Sequence, residues 1–290
     1  MCPQLDERLR VLGHPYFHIY LIRGKERSAL VEMGISATAD IVIGQLSSIG
    51  VRPDYLIITH PHSDHVAGLD AMREAFPLAV VIAARGAAAF LDHPKTAQSL
   101  VEEDHYMSSF MAEHGFPGRR SPISRAPSLS GCMVMTSNDT LDLGDVVVHF
   151  LNARGHSPGN LIIHVPALRA VLASDNLGYW VSGAGFFPIF FTGFTDYLAT
   201  IDVIESLDPQ FLGLAHNVVA AGADVRKTLD DARGAAVHIM ERIRNDRRED
   251  ELVAEELARE YHRDELALYS RENILSCCRL IVRRVRELLD

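Results

Sequence analysis

A mixed α/β fold is predicted for this 290-residue chain from three features of its sequence. Short β-branched runs alternate with segments of helical spacing through the first two thirds of the chain. From about Asp224 onward the sequence is strand-poor and rich in helix formers. The chain is 48% hydrophobic and 23% charged, ample for a buried core.

The apolar run Tyr16 to Ile22, the charged Arg23 to Arg27 and then Ser28 to Met33 read as two strands joined by a turn at Gly24. Ser36 to Ile49 carries Ile41, Val42, Leu46 and Ile49 at helical spacing and is stopped by Gly50 and Pro53. Tyr55 to Ile58 is a short strand leading into Thr59 and His60. A helix at about Val66 to Ala75, a strand at Leu78 to Ala83 and Ala-rich helical sequence from Arg85 follow. Pro94 to Gly131 turns polar and proline-containing, and is read as an insertion of one or two helices with a connecting loop. Strands return at Val146 to Leu151, Leu161 to Val165 and Ala170 to Ala173, each bounded by Gly, Pro or Asn. Asp196 to Leu207 reads as a helix and Phe211 to Leu214 as a last strand.

Residues 224–290 read as three helices. In the last, Ile274, Cys278, Ile281, Val285 and Leu288 recur in steps of four and three, an amphipathic face that either packs on the domain or forms a homodimer seam. The expected organisation is a domain over residues 1–223, with its insertion at about 94–131, and a helical extension over 224–290 packed on it.

The formal charge of −10, with no basic arm interleaved with aromatics, argues against a nucleic-acid partner or an anionic lipid surface. Asn176 to Thr195 holds no charge, but Gly178, Gly183, Gly185, Pro188 and Gly193 break any spanning helix, so no membrane partner is expected. Cys2, Cys132, Cys277 and Cys278 include no C-x-x-C pair and suit neither a disulfide framework nor a zinc ribbon. With no apolar signal segment in Met1 to Arg10, a reducing cytoplasm is the expectation.

Directly after the Tyr55-to-Ile58 strand stands Thr59-His60-Pro61-His62-Ser63-Asp64-His65, with four metal-ligating side chains inside six residues. On a tight strand-to-helix loop, His60 and His62 can face one cation while Asp64 and His65 turn toward a second. Further donors stand at the ends of apolar runs: His156 in Gly155-His156-Ser157-Pro158-Gly159-Asn160, Asp175 in Ser174-Asp175-Asn176, and His216 in Ala215-His216-Asn217. The other nine histidines are expected to be surface or structural.

This series resembles the metallo-β-lactamase superfamily, with its H-x-H-x-D-H loop, later G-H-S/T-P-G histidine, strand-end Asp and final His, in family order from about Tyr16 to His216. The resemblance implies a four-layer αββα sandwich with a dinuclear site between the sheets. His60, His62 and His156 would bind one metal, Asp64, His65 and His216 the other, and Asp175 would bridge them. Two departures stand out. Ala215-His216-Asn217 replaces Gly-His-Gly, a change that can shift the loop and weaken the second metal, and Val31-Glu32-Met33-Gly34 replaces Asp-Thr-Gly, leaving Glu32 as the acid behind the ligands. The run Ala29 to Ser36 and the long helical tail are similar to the PqsE-like branch, the quinolone-signal response proteins, which implies thioester hydrolysis and a regulatory protein partner.

The expected activity is metal-dependent hydrolysis of a small-molecule substrate. Two divalent ions, zinc or iron with manganese also compatible with N and O donors, would bring a bridging water toward neutral pKa. A metal-bound hydroxide would attack the carbonyl of an acyl thioester of coenzyme A type, and the thiolate would leave with little need of an acid. Asp64, His60 and His62 are the expected catalytic residues, Asp64 orienting the hydroxide. A lactonase or other ester hydrolase, a phosphodiesterase of the same fold, and a regulator acting through the helical tail are the alternatives. Phe186, Phe187, Phe190, Phe191 and Phe194, with Tyr179, either wall an acyl pocket or pack as core. Arg242, Arg244, Arg247 and Arg248 read as a solvated face rather than a grip on a coenzyme A phosphate.

Overall fold

The computed structural model describes residues 7–116 and 118–289, so Cys2 and the first six residues lie outside it. Two six-stranded sheets lie face to face. The first has the order β1 (Leu9–His14), β2 (Phe17–Arg23), β3 (Ser28–Val31), β4 (Tyr55–Ile58), β5 (Val80–Ala84), β6 (Met133–Met135). The second contains β7 (Thr140–Asp142), β8 (Val147–Ala153), β9 (Asn160–Val165), β10 (Ala170–Leu172), β13 (Phe211–Gly213) and β14 (Val219–Ala221), ordered β14-β13-β10-β9-β8-β7. Between β10 and β13 in the chain, β11 (Tyr179–Val181) and β12 (Gly185–Phe187) form a separate hairpin.

The period of two along each strand builds the layers. Tyr20, Ile22, Ala29, Val31, Tyr55 and Ile57 face the second sheet and meet Val148, Phe150, Leu161, Ile163, Leu172 and Phe211 in an apolar core. Their neighbours Ile19, Leu21, Leu30, Leu56 and Ile58 face outward onto α1 (Ala39–Ser48) and α3 (Leu69–Ala75), the latter preceded by the single turn α2 (Ser63–Val66). On the far side Ile162, Val171 and Leu212 pack against α6 (Phe194–Ser206) and α7 (Ala223–Asn245). The result is helix, sheet, sheet, helix: four layers.

The insertion is one 20-residue helix, α5 (Pro94–Glu113), after the short α4 (Ala87–Leu91), followed by irregular chain. It is anchored rather than loose, because buried Asp104 accepts hydrogen bonds from the Ser36 amide (2.9 Å), the Ser36 hydroxyl (2.7 Å) and the Ile123 amide (2.9 Å). The tail forms α7, α8 (Asp250–Tyr261) and α9 (Arg271–Arg286), with a 3-10 turn at Asp264–Leu268. On α9 the face offered as core or seam is core: Ile274, Cys278, Ile281 and Val285 are all buried within the chain, while Leu280 on the opposite side and Leu288 and Leu289 beyond the helix end are exposed. Arg242 pairs with Glu256 and Glu260, and Arg248 with Asp246 and Glu256, so this cluster is a solvated ion-pair face joining α7 to α8.

Other differences are local. Leu78 is exposed, and its strand starts at Val80. Strands β1, β6, β7, β11, β12 and β14 carry no signal strong enough to be read from the sequence.

Gly155, just before His156, sits at φ +95°, and a Cβ there would fall 2.4 Å from the Tyr197 backbone. Gly155→Ala is expected to cost about 2–4 kcal/mol, from the left-handed conformation plus the overlap. A fall of that size in urea-unfolding free energy checks it, and a loss under about 1 kcal/mol contradicts it.

Candidate metal centre

Strands β8 and β10 both run antiparallel to β9, and β13 runs parallel to β10, so β8, β10 and β13 end on the same edge of their sheet. His156 follows β8, Asp175 follows β10 and His216 follows β13; across the gap Glu32 follows β3 and His60 follows β4. The Leu161 amide donates to the Thr59 carbonyl at 2.9 Å, tying the histidine loop to the opposite sheet. Each donor is thus a side chain leaving a strand end into one shared rim.

The seven ligand candidates converge into two sets that share Asp175: His60, His62, His156, Asp175 and Asp64, His65, Asp175, His216. In the first, His60 Nε2 lies 3.1 Å from His62 Nδ1 and 3.2 Å from His156 Nε2. Asp175 Oδ2 is 3.7 Å from His60 Nε2 and 3.6 Å from His156 Nε2. In the second, Asp64 Oδ2 is 3.2 Å from His65 Nε2 and 3.1 Å from His216 Nε2, while Asp175 lies 3.4 and 3.3 Å from the same two nitrogens. Donors placed about 2.0–2.1 Å from one ion at tetrahedral corners would be about 3.3 Å apart, so both sets fit the edges of such a polyhedron.

The donors are also prepared chemically. His65 Nε2, His216 Nε2 and Asp175 Oδ1 are buried without a hydrogen-bond partner, an arrangement costly for polar atoms unless something else binds them. The His156 Nδ1–H donates to the Ile189 carbonyl at 2.9 Å, leaving the Nε2 lone pair for the site. His216 Nδ1 is held likewise by the Tyr16 carbonyl at 2.5 Å. Glu32, at φ +71°, gathers the rest: its Oε1 accepts from the Thr59 and Ser174 hydroxyls at 2.6 and 2.7 Å, and its Oε2 lies 3.1 Å from His65 Nδ1. The longer glutamate therefore reaches where the acid behind the ligands was expected. At the other departure, Asn217 takes φ +56°, a conformation asparagine tolerates, and His216 stays within its set.

Burial holds His60, His62 and His156 below the usual imidazole range, His62 at about 3. Burial opposes charge on His65 and His216 too, but the carboxylates around them win, Asp64 and Glu32 at His65 and Asp175 at His216, which rises to about 9. Burial would likewise raise Asp64 and Asp175, but His65 and His216 keep both well below the carboxylate range. Three neutral imidazoles and two ionised carboxylates are the forms that bind metal ions.

Of the predicted pocket residues, Phe186, Phe187, Phe190 and Phe194 are buried core: Phe187 tilts on Tyr261, and Phe190 meets Phe194 and Tyr197. Phe191 alone of the five turns to the site, its ring 5.4 Å from His156 and 6.5 Å from His62. Tyr179 stacks on His216 at 4.8 Å. Sequence reasoning missed Phe90, 6.0 Å from His62, and Tyr269, whose hydroxyl donates to Asp64 Oδ2 at 2.7 Å. No motif marks either, although the serine after Tyr269 is a recognisable helix N-cap.

Comparison with known proteins agrees with this geometry. The profile of the Metallo-beta-lactamase superfamily matches residues 18–216. The chain is similar to the acyl-coenzyme A thioesterase MBLAC2 of Bos taurus, 26% identical over 210 residues, spanning 66% of this chain and 68% of the relative. It is also similar to the hydroxyacylglutathione hydrolase of Ruegeria pomeroyi, 25% identical over 162 residues, 55% of this chain and 48% of that protein. Among solved structures, a metallo-beta-lactamase family protein of Thermus thermophilus superposes with a TM-score of 0.69 at 18% identity, covering 98% of this chain and 94% of that one. Among the described residues, no helix is long and apolar enough to cross a membrane.

Proposed function

This chain belongs to the metallo-beta-lactamase superfamily and is a metallo-hydrolase of it, and from that premise we propose that it cleaves an acyl thioester of coenzyme A type at a two-metal centre. The observation that carries the reading is the pair of donor sets joined by Asp175. Divalent ions bound there would supply Lewis acidity, lowering the pKa of a water toward neutrality and polarising the acyl carbonyl. His60, His62 and His156 would hold one ion and Asp64, His65 and His216 the other, with Asp175 common to both sets. N and O donors accept zinc, iron or manganese.

The rest falls to the chain itself. Glu32, Ile189 and Tyr16 fix ring orientations, so little reorganisation is needed during the reaction. His62 is half-buried while the other six ligand candidates are buried, so substrate reaches the site on the His62 side. Phe90 and Phe191 flank that opening and offer an apolar wall to an acyl group. A thiol, with an ordinary pKa near 8.5, leaves without a proton donor, which favours a thioester over an alkyl ester. Similarity to an acyl-coenzyme A thioesterase supports the same substrate class.

The test is a panel of acyl- and aryl-coenzyme A thioesters, a lactone and bis-p-nitrophenyl phosphate. The expected outcome is a kcat/KM for the best thioester at least tenfold above the others. A preference for the lactone or the phosphodiester overturns the substrate assignment.

A further inference from the structure

The hydroxyl of half-buried Tyr269 lies 205 residues from Asp64 in sequence, yet it points at that side chain. It donates at 2.7 Å to Asp64 Oδ2, the same oxygen that lies 3.2 Å from His65 Nε2 and 3.1 Å from His216 Nε2. The segment that carries it is fixed on both sides. His262, just past α8, donates from Nε2 to the Tyr269 carbonyl at 2.9 Å, and the Ser270 hydroxyl donates to Glu103 of α5 at 2.7 Å. Ser270 also caps α9 by accepting from the Asn273 amide at 3.1 Å. The Tyr269 ring meets Tyr179 edge-on at 5.7 Å, and Tyr179 in turn stacks on His216. Insertion helix and tail thus meet at the metal centre, on the Asp64 and His216 side rather than the half-buried His62 side.

We propose that Tyr269 is a positioning residue of the metal centre, by which the C-terminal segment orients Asp64 for the second donor set. The proposal rests on the two-metal reading above. A carboxylate has two oxygens and a free torsion; a donor fixed on Oδ2 selects the rotamer in which that oxygen faces His65 and His216. The hydrogen bond of this hydroxyl goes to a member of the second set, not to His60, His62 or His156. The tail therefore acts on one metal position and not on the other.

The experiment is zinc titration of full-length protein against a competing chelator, comparing wild type, Tyr269→Phe and Ser182→Ala. Ser182 donates from its hydroxyl to Glu265 at 2.5 Å and so anchors the same strap without touching Asp64. Wild type is expected to bind two ions; Tyr269→Phe is expected to bind one of them about tenfold less tightly with the other unchanged, the low end of the effect of removing a partner from a ligand. Ser182→Ala is expected to bind both as wild type does. Two unchanged affinities in Tyr269→Phe, or equal weakening of both, overturn the proposal while leaving two-metal binding intact. Equal losses in Tyr269→Phe and Ser182→Ala overturn it as well, showing only that the strap has loosened. A wild type that binds fewer than two ions overturns the two-metal reading itself, and the proposal with it.

Discussion

Asp175→Asn is expected to reduce kcat/KM for the best thioester by about 10³-fold or more, roughly 4 kcal/mol of transition-state stabilisation. Asp175 is the one side chain in both donor sets, its Oδ2 within 3.4–3.7 Å of His60, His65 and His156 and its Oδ1 3.3 Å from His216. Asparagine keeps the shape but removes the negative charge and turns one oxygen into an NH2 group, a donor with no lone pair to offer a metal ion. Metal content should fall with activity while the far-ultraviolet circular dichroism stays unchanged. A variant that keeps more than a tenth of wild-type activity would show that Asp175 is not at the reacting centre.

Removing metal is expected to have the largest effect on stability. An ion bound at a thousand times its dissociation constant adds about 4 kcal/mol to the folded state, and each kcal/mol moves the melting temperature of a domain this large by about 2–4 °C. Chelation should therefore lower Tm by on the order of 10 °C.

The metal-free protein should also show a particular pH dependence. His60, His62 and His156 are held below their ordinary value of 6.5, so below that pH the unfolded chain takes up protons the buried rings refuse, and stability falls as pH drops. His65 and His216 are raised. Their contribution is complete below 6.5 and is lost as pH rises, for His216 through about 9. Asp64 and Asp175 are lowered and lose their contribution only in stronger acid. Urea midpoints of chelated protein should peak near pH 6.5 and fall on both sides. A midpoint that climbs steadily from about pH 5 to about pH 9 would mean that the carboxylates do not raise His65 and His216.

The donors were legible because four sit on one loop and the others close recognisable apolar runs. The central strands were legible because burial on both faces makes them continuously apolar: all four residues of β3 and of β4 are buried. The edge strands were not. In β6, Met133 and Val134 are exposed, and β7 and β14 are three residues long with mixed burial, too short for a period of two to register. The hairpin of β11 and β12 read as an apolar loop for the same reason. The phenylalanine cluster was ambiguous because its composition suits a pocket wall and a core equally; only the backbone path turns Phe191 toward His156 and its four companions away. Tyr269 was hidden for a different reason, since a contact 205 residues away from Asp64 leaves no local pattern.

The most direct test of a two-metal hydrolase is to measure metal content and thioester hydrolysis on one preparation, purified without chelator, then stripped and reloaded. Two divalent ions per chain, activity lost on stripping and restored by zinc, iron or manganese, is the expected result. Full hydrolysis after stripping, or a chain that takes up no metal and turns over no ester, would contradict it.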